Sequence, residues 1–122
     1  MSDTVRKTVA FLSTRPPAGG DVAQACLEAA LSFAVFEQKV LYIFIDDGIW
    51  QLLTFQSPMD GGKTIGAALG ALDIYGINKV YACAQSMSAR KVLENELIDG
   101  VEVAERSVIS DLINSADSVF TF

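Results

Sequence analysis

The segment from Lys39 to Ile45, Lys-Val-Leu-Tyr-Ile-Phe-Ile, constrains this chain more than any other. It is a near-continuous β-branched and aromatic run. A strand with one wet face alternates apolar and polar residues. A strand buried on both faces does not, and such strands belong to parallel sheets covered by helices. Parallel neighbours also need crossover connections, usually helices. The flanking sequence supplies them.

Lys7-Thr8-Val9-Ala10-Phe11-Leu12 reads as a first strand, followed by a loop, Ser13 to Gly20. Asp21 is a suitable N-cap for a helix whose apolar positions Val22, Ala23, Cys26, Leu27, Ala30, Leu31 and Ala34 recur at helical spacing. After the Lys39–Ile45 strand, Asp46-Asp47-Gly48 ends the run. A short apolar turn, Ile49 to Leu53, carries the only Trp, and 56–62 is loop. A second helix is expected over Thr64 to Tyr75, a third strand over Lys79 to Cys83, and a third helix from Ser86 to about Leu97, capped by Ser86 or Ser88. Val101 to Ala104 reads as a fourth strand, Val108 to Ala116 as a fourth helix, and Ser118 to Phe122 as a last strand. The order β-α-β-α-β-α-β-α-β predicts a mostly parallel five-stranded sheet in a three-layer α/β/α sandwich. The 122 residues fit one domain, 1–122, with one core.

Charge and residue usage exclude several classes of function. Net charge is −6, so counterion release gives no drive toward DNA or RNA, and no direct nucleic-acid binding is expected. The apolar stretches are broken by charge well short of a membrane span, and the polar N-terminus does not read as a signal peptide. There is no His, there are two Cys at positions 26 and 83, and no CxxC occurs. No disulfide framework and no metal site are expected, and a reducing, cytoplasmic compartment fits this usage. The loop before the first helix lacks the Gly-Lys-Ser/Thr ending of a P-loop and is not GxGxxG, and Asp21 would repel phosphate. It reads as a surface turn, and no cofactor is expected. Asp46-Asp47 lacks the second strand-end Asp and the late Lys of a metal-dependent phosphoacceptor, so it reads as a strand terminator and cap.

Cys83 is the candidate for chemistry. It closes the third strand, where reaction sites of open parallel sheets gather. Helix-opening amides, Ser86, and the cations Arg90 and Lys91 one to two turns on would favour its thiolate. The bland alternative is a small buried residue, which free Cys often is. Cys26 sits on the apolar stripe of the first helix and reads as core. Ile49, Trp50, Leu52, Leu53 and Phe55 are too apolar for an ordinary surface loop. They pack on their own domain or form a subunit interface.

Several segments, in order, carry a resemblance: Ala10-Phe11-Leu12-Ser13-Thr14-Arg15-Pro16-Pro17, Phe44 to Leu53, Leu72-Asp73-Ile74-Tyr75-Gly76-Ile77, and Val80-Tyr81-Ala82-Cys83-Ala84. An aromatic-ended C-terminal strand follows. With these the chain resembles the DsrE/DsrF-like sulfur-relay family over nearly its whole length. Asp46, Gly48, Gln51, Leu52 and Leu53 point to the TusC/DsrF branch. The resemblance implies a three-layer α/β sandwich and a hetero- or homo-oligomer. It also implies partnership with sister DsrE/TusD-like and DsrH/TusB-like subunits and with a downstream sulfur-acceptor protein. The implied function is passage of persulfide sulfur between proteins, for 2-thiouridine formation in tRNA or for sulfur oxidation. Cys83 matches the carrier position of the DsrE/TusD branch. That branch continues to Arg-Arg-Gly, where this chain has Ser88-Ala89-Arg90-Lys91. The resemblance therefore implies either a relic or an auxiliary thiol. An independent sulfurtransferase with Cys83 as carrier, and a flavodoxin-like small-ligand or nucleotide module, are the other readings open at this stage.

Overall fold

The computed structural model describes residues 6–17, 21–54 and 68–122. Five parallel strands form one sheet in the order β4-β3-β2-β1-β5. They are β1 (Thr8–Ser13), β2 (Lys39–Phe44), β3 (Lys79–Cys83), β4 (Val101–Ala104) and β5 (Ser118–Thr121). The α-helices lying wholly within the described residues are α1 (Val22–Val35), α2 (Ala84–Ala89) and α3 (Arg106–Ser115). β2 lies at the centre and is buried along its length after Lys39, which is why its sequence does not alternate.

The strand order dictates the layers. β1 to β4 advance in one direction, so right-handed crossovers put their connections on one face. On that face Cys26 and Leu27 of α1, Leu72, Met87 and Val92 pack on Phe11, Tyr42, Phe44 and Ala82. The return from β4 to β5 crosses back, and α3 covers the other face. There Ile109 packs with Ala10, Leu41, Ile43, Tyr81 and Cys83. Full burial of each large apolar side chain contributes about 1.5–3 kcal/mol. Edge strand β5 is held by aromatic contacts. Phe11 lies 5.5 Å from Phe33 and 5.5 Å from Phe120, centre to centre.

The segment after β2 is a 3-10 helix, Asp46–Leu52, and it is locked to the end of β1. Gly48 approaches so closely that a Cβ there would stand 1.9 Å from the Ser13 carbonyl oxygen. Gln51 is fully buried, and its Nε2 donates to Ser13 Oγ at 2.7 Å and to the Arg15 carbonyl at 2.8 Å. Gly48 and Gln51 thus build the packing of this corner. Leu53 pairs with Leu97, and the Ile98 N–H donates to the Leu52 carbonyl at 2.8 Å.

Several sequence expectations need correction. The third helix does not run from Ser86 to Leu97. It starts immediately after Cys83 and stops at Ala89. Lys91 takes the left-handed conformation (φ 57°), Lys91 N–H bonds the Ser88 carbonyl, and Val92 N–H bonds the Met87 carbonyl. This is a Schellman ending, with buried Met87 and Val92 both in the core below it. Neither Ser86 nor Ser88 caps the helix; the N-cap residue is Cys83. The Asp46-Asp47 pair also makes no side-chain cap. Of the helix expected over Thr64 to Tyr75, the described part ends in a 3-10 turn, Leu72–Tyr75, closed by Gly76 at φ 85°.

Candidate functional site

Cys83 stands at the carboxyl end of β3, beside Ala104 at the end of β4, and its side chain faces the α3 layer. The residue is 2% exposed, but its surroundings are polar. Burial by itself pushes the thiol up. Hydrogen bonds from the Ser86 hydroxyl, the backbone N–H groups of Ser86 and Gln85, and the Arg106 side chain outweigh it and leave the thiol below its ordinary value. These donors all favour the anion.

Ser86 has a defined role in this collar. It is buried, and its Oγ accepts the Asp46 backbone N–H at 2.9 Å. The hydroxyl proton is therefore free to point at the Cys83 sulfur. Asp46 itself sits at φ 51°, an uncommon conformation for a residue other than Gly. The lock between β1 and the 3-10 segment thus ends in the hydrogen bond that orients Ser86.

The expected cations are redistributed. Arg90 donates from Nε to Asp47 Oδ1 at 3.1 Å, with Nη2 also at 3.1 Å, and from Nη1 to the Ser86 carbonyl at 3.2 Å. It braces the 3-10 segment against α2 and does not stabilise the thiolate. Lys91 is exposed beyond the helix end and is not among the groups that act on Cys83. The cation that reaches the sulfur is Arg106, the first residue of α3. It was missed because it lies on another connection. The available signal was a cation immediately after the strand that neighbours β3. Gln85 was also missed. Its side chain touches the sulfur at 3.7 Å and bonds Glu105 and the Arg106 backbone.

The other thiol is different. Cys26 lies in the α1 layer, on the opposite face of the sheet from Cys83. Burial pushes its thiol up. The fully buried Tyr42 hydroxyl beside it is also pushed up, chiefly by burial, and among the described residues no hydrogen bond of standard geometry satisfies it. Cys26 is a core residue, as its helical phase implies. The apolar segment after β2 divides. Ile49 and Leu52 are fully buried in the chain's own core, so their side chains offer no interface surface. Trp50 and Leu53 are half-buried against that core, and Phe55 lies outside the described residues. No group of His, Cys, Asp and Glu able to hold a metal occurs among the described residues. No helix there is long and apolar enough to cross a membrane.

The model of the DsrE/DsrF-like family matches residues 7–122. The chain belongs to the DsrE/DsrF-like family. Among its relatives is the intracellular sulfur oxidation protein DsrF of Allochromatium vinosum, 30% identical, with all of both chains covered. A TusC homolog of Pseudomonas aeruginosa is 32% identical over 94% of this chain and 98% of that one. The YchN protein of E. coli shares the fold, with a TM-score of 0.81 and 25% identity over 97% of this chain and 100% of the other. The α/β architecture is therefore that of the DsrE/DsrF-like family, and Cys83 occupies a strand end within it.

Proposed function

We propose that this chain is a subunit of a cytoplasmic sulfur-relay complex, with Cys83 as an auxiliary persulfide-accepting thiol. The observation that carries this reading is the collar around Cys83: a thiol held below its ordinary value by Ser86, two backbone amides and Arg106. The names of the relatives, DsrF and TusC homolog, support the same class and leave both sulfur oxidation and tRNA thiolation as destinations.

The chemistry needs no other catalytic group. The Cys83 thiolate attacks the outer sulfur of a donor persulfide. Its electron pair forms the new S–S bond, and the old S–S pair leaves with the donor as its thiolate. No net oxidation occurs. The same collar then stabilises the terminal sulfur anion. Cys26 is on the other face of the sheet, so it cannot resolve the persulfide within the chain. Discharge therefore requires the thiol of another protein, and that fits sister DsrE/TusD-like and DsrH/TusB-like subunits or a sulfur-acceptor protein.

Mass spectrometry after incubation with a persulfide donor tests the acceptance step. The expected result is a gain of one sulfur atom, lost in Cys83→Ser. Reconstituted transfer with sister subunits tests the auxiliary role. Cys83→Ser is expected to leave much of the flux, and complete loss would make Cys83 the principal carrier.

A further inference from the structure

Cys83 is buried, yet the side chain lying against its sulfur belongs to an exposed residue, Gln85. Gln85 spans from the β3–α2 corner to the β4–α3 corner. Its Oε1 accepts the Cys83 S–H at 3.7 Å and the Arg106 backbone N–H at 2.9 Å. Its Nε2 donates to Glu105 Oε2 at 2.6 Å. Arg106 opens α3, so its N–H has no acceptor within the helix, and Glu105 at the N-cap makes no side-chain capping bond. Gln85 therefore caps α3 from another element. Both ends of its amide are held, one of them by a carboxylate, and charge-assisted bonds are the stronger kind.

We propose that Gln85 is a gate over Cys83, latched by Glu105, and that the thiol reacts only when this side chain swings off the β4–α3 corner. The gate rests on the reading of Cys83 as the reactive thiol. Displacement at sulfur requires an open approach to the sulfur atom, which the closed amide obstructs. Opening exposes the Arg106 N–H at a corner where water can replace the lost bond. Glu105 is exposed, so a docking protein that brings a Lys or Arg to this corner competes for the carboxylate and releases the amide. Contact with a partner is thereby coupled to access.

The test is the rate of Cys83 alkylation by iodoacetamide across pH, resolved from Cys26 by peptide mass mapping. The plateau rate at high pH reports access, and the midpoint reports thiolate stability. Gln85→Ala is expected to raise the plateau about tenfold, and Glu105→Gln, which keeps the shape but not the charge, about threefold. A plateau unchanged in both variants, with only the midpoint moved, overturns the gate. So does a Cys83 that stays unreactive in Gln85→Ala. A faster plateau in a protein whose Cys83 accepts no sulfur from a persulfide donor would keep the gate and sink the relay reading.

Discussion

Gly48→Ala is the substitution that most directly tests how the corner beneath the thiol is built. The added methyl carbon would stand 1.9 Å from the Ser13 carbonyl oxygen and 2.8 Å from its carbon. That is roughly 1.5 Å inside ordinary contact distance. The neighbour is backbone, not the end of a flexible side chain. It belongs to β1, which is hydrogen-bonded on both sides, and the carbonyl accepts the Ile45 N–H at 3.2 Å. Neither side can yield without breaking bonds, so the cost belongs at the upper end of overpacking, about 3 kcal/mol. For a domain of this size that lowers the melting temperature by about 10–15 °C. Gly76→Ala is the control. Gly76 adopts φ 85° with nothing within 4 Å of an added Cβ, so it bears only conformational strain, about 1 kcal/mol. Displacing the 3-10 segment also frees the Asp46 N–H from Ser86 Oγ. Gly48→Ala should therefore move the Cys83 alkylation midpoint to higher pH as well. Thermal unfolding with Gly48→Ala within about 2 °C of the parent, or no more damaging than Gly76→Ala, would refute the close-approach argument.

Ser86→Ala removes the hydroxyl that donates to the Cys83 sulfur. Alkylation at neutral pH should slow about tenfold, while the high-pH plateau is retained. The buried Cys26 and Tyr42 set an alkaline limit. Both are raised from ordinary values of 9.0 and 10.0, so they stay protonated in the fold while the unfolded chain ionises. Their contribution is complete below those values and is lost as pH rises past them, by about 1.4 kcal/mol per pH unit for each group. Urea midpoints measured from pH 8 to 10.5 should fall on the alkaline side, and less steeply in Tyr42→Phe; parallel slopes would remove Tyr42 from the account. In the proposed complex, Trp50→Ala should weaken assembly with little change in fold, because Trp50 and Leu53 are the half-buried residues of the apolar segment. Size-exclusion with and without sister subunits checks this, and an unchanged assembly state would dismiss Trp50 as a contact.

Strand positions were legible because hydrophobic period is a property of near neighbours in the chain. Val40 to Phe44 had to be buried on both faces, and Lys79 to Cys83 had to end where Cys83 stands. The phase of α1 likewise put Cys26 in the core. Which side chains meet Cys83 was not legible in the same way. Arg90 and Lys91 are close in sequence, but α2 ends early, at Ala89, and Arg90 turns to Asp47. Arg106 and Glu105 are distant in sequence and arrive because β4 pairs with β3 in parallel, so both strands end on the same edge of the sheet. The role of Gly48 was equally hidden, since only the packed sheet brings the Ser13 carbonyl against it. Local composition determined the strands, the phase of α1 and the place of the thiol. The order of the strands decided which charges surround it, because that order is settled by crossovers between elements far apart in the chain.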